Sequence, residues 1–296
     1  MNKAIKIGLF LVIIGIVAFV VYAIIDEKFP NFTNEDFTLV EKTYASDRFT
    51  SFSVDLINQE VIIGPSDNNE IKIKYYESEK TYINVTEGDA VLEMEGVNER
   101  VFFGLLYGLS YLASPEYSRY YLYLPTDSTY DIDLSTDNGS ITFSDYNPAG
   151  AVTLGSQNGE IEIENITSSG SINATTSNGR ITVTDTTSSG DIYLSTSNGR
   201  VILTDVTGSH IECESQNGDI EGSNIQFTDL ECETSNGSID LSVDVAFADF
   251  YLKMATTNGH YTLNGDRTTQ NAFNTSIEQM IDLKTSNGNI EINFAE

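Results

Sequence analysis

The chain has 296 residues and a formal net charge of −29, from 15 Lys and Arg against 44 Asp and Glu. That balance excludes a nucleic-acid binder, because phosphate contacts need a basic surface, and it sets the chain as a whole against anionic membrane surfaces. With 40% hydrophobic residues and 22 Gly, there is material for a large core built from many short strands and turns.

The chain opens with Lys3 and Lys6 and then runs from Ile7 to Ile25 without a charge. Nineteen residues rising 1.5 Å each would cover about 28 Å, close to the hydrocarbon thickness of a bilayer. Asp26 and Glu27 follow, so the positive-inside rule places the N-terminus in the cytoplasm and the rest outside the cell. The run is longer than the apolar core of a cleaved signal peptide, and Val21-Tyr22-Ala23 is a poor cleavage site. Residues 1–25 are therefore expected to be a single-pass transmembrane anchor, and 26–36 a polar linker.

Residues 37–130 read as less regular β structure. Phe49–Leu56, Glu60–Pro65, Glu70–Tyr76 and Ala90–Met94 alternate or run apolar between Asn, Asp and Gly breaks. Such a stretch suits the atypical first repeats, or cap, of an array. Within it, 97–118 changes texture, since Val101 to Ala113 carries no charge yet is too short to span a bilayer. It serves either as a cap over the core or as a docking segment, with Phe102, Phe103, Leu105, Leu106, Tyr107 and Tyr111 as candidate partner-binding residues.

From residue 131 to 296 a repeat takes over. Asn-Gly falls at Asn138, Asn158, Asn178, Asn198, Asn217, Asn236, Asn258 and Asn287, a period near 20 residues broken only by an inserted loop before the last copy. Six residues before each Asn stand Ile132, Val152, Ile172, Ile192, Ile211, Leu230, Leu252 and Ile281. Four before it stand Leu134, Leu154, Ala174, Leu194, Cys213, Cys232, Met254 and Leu283, and two before it always Ser or Thr. Three after it stand Ile141, Ile161, Ile181, Val201, Ile220, Ile239, Tyr261 and Ile290. Alternation with period two means strands with one buried face.

The inward phase shifts at the Asn-Gly, where the Gly is expected to supply a positive φ. Two constructions fit: a type I′ hairpin turn, or a corner of a parallel β-helix whose coils stack at the strand spacing. A second break near Asp145, Asn165, Asp185, Asp205 and Asn224 gives each repeat two bends, which favours the coil. The Asn column would then form an amide ladder. The expected fold is all-β, a parallel β-solenoid of ~20-residue repeats, with stacked β-hairpins as the alternative.

Tyr121-Leu122-Tyr123-Leu124-Pro125, followed by Ser/Thr-x-Asn-Gly-x-Ile every 20 residues, resembles the bacterial "putative adhesin" repeat domain family of unknown function. The upstream Val61-Ile62-Ile63-Gly64-Pro65-Ser66-Asp67 is similar to that family's first strand, and the resemblance covers roughly 45–296. It implies an all-β domain in a membrane-anchored protein of a Gram-positive cell envelope, and it implies no catalytic residue. The 101–113 segment is not part of that pattern.

Chemistry-bearing residues are few. Cys213 and Cys232 share a repeat offset, so stacking would bring them within disulfide range in an oxidising compartment, although two small buried hydrophobes explain them equally. His210 and His260 lack zinc-ligand spacing. Asp145, Asn165, Asp185 and Asp205 offer oxygens for calcium, but Asp and Asn at turns need no ion. Asp185 and Asp205 with Arg180 and Arg200 suggest a polysaccharide-cleaving β-helix enzyme. Against it, Glu160, Arg180, Arg200 and Asp219 pair charges from coil to coil, and every polar column is repetitive. No catalytic, cofactor or metal site is therefore expected. The reading is a non-enzymatic, membrane-anchored, adhesin-like solenoid that binds envelope polymer or a membrane protein, with adhesion or envelope stress as its role.

Overall fold

The computed structural model describes residues 37–98, 115–126 and 128–295. The expected anchor over 7–25, the linker 26–36 and all six candidate docking residues between Phe102 and Tyr111 lie outside the described residues. Among those described, no helix is long and apolar enough to cross a membrane.

The first strands are β1 (Thr38–Ala45), β2 (Ser51–Leu56), β3 (Glu60–Pro65), β4 (Glu70–Glu77), β5 (Thr81–Glu87), β6 (Val91–Asn98) and β7 (Arg119–Leu124). The regular array follows as β8 (Asp131–Thr136), β9 (Ile141–Ser144), β10 (Val152–Ser156), β11 (Ile161–Ser168), β12 (Ile172–Thr176), β13 (Ile181–Ser188), β14 (Ile192–Thr196) and β15 (Val201–Thr207). It continues through β16 (His210–Ser215), β17 (Ile220–Gln226), β18 (Asp229–Thr234) and β19 (Ile239–Val243). The chain closes with β20 (Tyr251–Thr256), β21 (Tyr261–Leu263), β22 (Asp266–Thr268), β23 (Ala272–Phe273), β24 (Met280–Thr285) and β25 (Ile290–Phe294).

These strands make a parallel β-solenoid with two faces. One sheet runs β1-β4-β7-β3-β9-β11-β13-β15-β17-β19-β25-β21-β22, and the other β23-β20-β24-β18-β16-β14-β12-β10-β8-β2-β6-β5. Each coil lends one strand to each sheet and stacks in parallel register on the next, as in Ile172↔Ile192 and Ile181↔Val201. The strands flanking an Asn-Gly pair with neighbouring coils and not with each other, which rules out the hairpin alternative.

Burial follows the columns. The residues six and four before each Asn are at most 1% exposed, and those three after are equally buried except Tyr261 in the outermost parallel coil. Each such aliphatic contributes about 1.5–3 kcal/mol of burial before chain entropy is subtracted.

The corner geometry differs from expectation in one respect. None of the eight repeat Asn-Gly glycines has a positive φ; among the described residues Gly265, which follows Asn264 outside the repeat columns, has one, at 78°. Within the repeats the left-handed residues are instead Asp145, Asn165, Asp185, Asp205 and Asn224 at the other bend, with φ between 47° and 57°. Asp and Asn tolerate that region best among side chains with a Cβ. Glycine is needed at the Asn corner because the coils stack too closely there: a Cβ on Gly179 would sit 1.8 Å from the Gly159 carbonyl oxygen.

The column also extends on the N-terminal side of residue 131. β2 and β3 lie in register on β8 and β9, and β6 and β7 form a further coil beyond them. Antiparallel strands finish this end: β4 on β7, β1 on β4 and β5 on β6. At the other end, β24 and β25 insert between the coil of β18 and β19 and that of β20 and β21, so the last two parallel coils stack in reverse chain order. Charge helps to fix this order. Asp282 on the inserted strand takes Lys253 at 2.8 Å, and Lys284 bridges Asp282 at 3.2 Å and Glu231 at 2.9 Å. The hydrogen bond to Glu231 is the main cause that lifts the Lys284 ammonium above its usual range.

Candidate functional site

The repeat motif works as a hydrogen-bonding corner. In the copies of Ser/Thr-x-Asn-Gly from Ser156 to Thr234 the buried hydroxyl accepts from the Gly N–H and donates to the carbonyl of the adjacent coil's glycine. Thr196, for instance, accepts from Gly199 N at 3.1 Å and donates to Gly179 O at 3.0 Å. The Asn side chains form the expected ladder, each amide donating to the next Asn oxygen at 2.8–2.9 Å. The other corner repeats the device with a carboxylate, Asn165 donating to Asp145 at 2.6 Å and Asn224 to Asp205.

The outward charges pair between coils. Arg180 meets Glu160 at 3.0 Å, and Arg200 meets Glu221 at 3.1 Å and Asp219 at 3.6 Å. The two arginines of the carbohydrate-cleaving reading are thereby engaged with carboxylates. Asp185 and Asp205 are exposed at a turn corner. Two clefts, of about 380 and 520 Å³, lie near the end of the column that carries β20 and β24, and neither is lined by Asp185 or Asp205. Among the described residues no group of three His, Cys, Asp or Glu is placed to hold a metal ion. His210 lies 3.9 Å from Glu212, and the His260 backbone N–H donates to Asn289.

Cys213 and Cys232 stand in register on adjacent strands, as their spacing implied, but both thiols are free and buried. Side chains in register on parallel strands leave the sheet side by side at about the 4.8 Å strand spacing, whereas bonded cysteines need Cβ atoms about 3.8 Å apart. A hydrogen bond with Cys213, together with burial, pushes the Cys232 thiol well above its usual range and keeps it protonated.

One surface breaks the repetitive pattern. Antiparallel pairing of β4 with β7 sets Lys74 opposite Tyr121 and Lys72 opposite Tyr123, while β1 sets Leu39 beside Tyr76. The Tyr121 and Tyr123 rings stack at 5.8 Å, and the Lys74 ammonium lies 5.6 Å from the Tyr121 centroid. Phe37 stacks on Tyr117 at 4.8 Å, and Tyr117 meets Tyr76 edge-on at 5.1 Å. Leu39, at 42% exposed, completes this aromatic and cationic face at the first coils. Alternation along Tyr120-Tyr121-Leu122-Tyr123 already places Tyr121 and Tyr123 outward, but sequence alone does not show which strand brings lysines to them.

The Toastrack DUF4097 family matches residues 49–293, and the chain belongs to that family. Among solved structures, it is similar to a protein of Bacteroides fragilis described as a "putative adhesin", with TM-score 0.51 and 14% identity over 87% of this chain and 97% of that one. A Parabacteroides distasonis protein described as a "putative lipid binding protein" aligns at TM-score 0.46 and 12% identity, over 89% and 98% of the two chains. The first likeness shows a shared fold at an identity too low to carry function. No curated protein is similar to the chain.

Proposed function

We propose that this chain is a non-enzymatic, adhesin-like protein of the cell envelope. Residues 7–25 cross the membrane with the N-terminus in the cytoplasm, and the solenoid stands outside. It binds envelope polymer or a membrane protein through its outward columns and through the 101–113 segment, with Phe102, Phe103, Leu105, Leu106, Tyr107 and Tyr111 as contact residues. The carrying observation is that the polar columns repeat from coil to coil and bond to their own stacked neighbours, as Arg180 does to Glu160 and Asn178 to Asn158. Side chains so engaged hold a rigid column together and present a long, uniform surface. That design suits display and adhesion better than turnover at one point. The adhesin description of the Bacteroides fragilis relative agrees with it.

The test uses the full chain in vesicles, sedimented with purified cell-wall polymer and assayed in parallel for release of glycan ends. A second version carries a Gly/Ser linker in place of 101–113. Capture without glycan release is expected, weakened by the replacement if that segment docks. Glycan release that disappears in Asp185→Asn would overturn the proposal in favour of a polysaccharide-cleaving enzyme.

A further inference from the structure

We infer that the tyrosine and lysine face at the first coils rests on the polar interface of the lipid bilayer. The inference builds on the anchored reading above and adds a surface by which the column is seated. The face consists of Tyr121 and Tyr123 on β7, Lys72, Lys74 and Tyr76 on β4, and the Phe37–Tyr117 stack beside them.

Its chemistry is that of an interfacial surface. Tyrosine presents an apolar ring and a polar hydroxyl, and it concentrates where one end of a side chain is dry and the other wet. A lysine stem lies along apolar surface while its ammonium reaches outward, toward water or a phosphate. Lys74 already lies over the Tyr121 ring, which places its charge at the edge of the aromatic patch.

Charge singles out the same place. Lys72, Lys74 and Arg119 share this face and its rim with Glu41, Glu60, Asp67 and Glu70, so three cations meet four carboxylates. The patch carries a net charge of only −1 on a chain whose formal charge is −29. A strongly acidic column is repelled by an anionic leaflet over most of its surface, and an aromatic patch that holds most of its charge in balance is where that repulsion is weak.

The occupant follows from how near Phe37 lies in the sequence to the apolar run. Phe37 belongs to the face, and residues 26–36 alone separate it from the apolar run ending at Ile25. Eleven residues fully extended reach at most about 40 Å, so this face is held close to the bilayer that the run would enter. Such tethering converts a weak surface affinity into steady contact, because the second contact becomes intramolecular.

The experiment uses the full chain in vesicles of phosphatidylethanolamine and phosphatidylglycerol that carry a headgroup-linked quencher. A fluorophore is placed at Thr43→Cys, beside Lys72, or at Thr153→Cys, on the other sheet; the native thiols are buried. An interfacial face lies about 5–10 Å into the headgroup boundary, so the label at position 43 is expected to lose about half its emission while that at 153 keeps it. Tyr121→Ser with Tyr123→Ser, and separately Lys74→Glu, should restore emission at 43 without releasing the chain from the vesicles. Chain that floats with the vesicles but shows equal quenching at both positions overturns the face and leaves the anchor standing. Chain that does not float overturns the anchored reading and this inference with it.

Discussion

Asn138 donates its side-chain amide to Asn58 Oδ1 at 2.8 Å, across a sequence separation of 80 residues. Asn58 is followed by Gln59 and not by Gly, yet it occupies the same corner as the repeat asparagines. The ladder therefore begins a coil earlier than the Asn-Gly motif and runs to Asn258, which donates to Asn287. An inner rung accepts one amide and donates another, so its loss should cost more than loss of an end rung. Asn178→Ala removes bonds to both Asn158 and Asn198 and should lower stability by about 1–2 kcal/mol in urea unfolding. Asn258→Ala should cost about half as much.

Glycine at the Asn corner gives a sharper contrast. Gly179→Ala places a Cβ against the Gly159 carbonyl and should force two coils apart, at a cost of about 3 kcal/mol or more. Gly265 has a positive φ but open space around it, so Gly265→Ala should cost only about 1 kcal/mol. If a positive φ were the reason for the Asn-Gly glycines, Gly179→Asn would be well tolerated. The stacking geometry predicts that it unfolds the column.

The hydroxyl column makes a third test. Thr196→Val keeps the shape but leaves the Gly199 N–H and the Gly179 carbonyl without their partner, which should cost about 1–3 kcal/mol. Thr196→Ser should be nearly neutral, since Ser156 and Ser215 make the same bonds in their own coils. Thermal melts of the two variants side by side would show the difference.

Acidic columns predict a pH effect. Asp240 sits in register between Glu221 and Glu291, and partial burial followed by those two carboxylates raises its carboxyl above the usual range. The folded chain thus holds this proton more tightly than the unfolded chain does. At this site stability rises as the pH falls through the folded-state titration, and is lost again as the carboxyl ionises. Asp240→Asn should therefore stabilise by about 0.5 kcal/mol at neutral pH, a small figure because the site is exposed to solvent. The advantage should vanish once the pH is low enough to protonate the aspartate in both states.

Much of the fold was legible because a solenoid writes its core into a period. The columns through Ile192, Leu194 and Val201 each occupy one offset, and all three are buried. The reason for glycine was not legible, since the clash at Gly179 depends on a distance between coils 20 residues apart. The first coil was obscured by Gln59, which stands where later copies have Gly. The reversed order of the last two coils could not be read either: each carries the same columns, and a stack accepts them in either order until Asp282, Lys284 and Lys253 distinguish the two. At the candidate interfacial face, alternation gave the outward tyrosines, but the lysines beside them come from a strand about 50 residues earlier.

Whether the column stands outside the membrane is tested most directly by epitope accessibility in intact cells that express the full chain. One epitope follows Glu296 and another precedes Met1. An antibody should reach the C-terminal epitope on intact cells and the N-terminal one only after permeabilisation. A C-terminal epitope that stays hidden until the cells are opened would contradict the envelope reading, and with it the membrane-facing role of the tyrosine and lysine face.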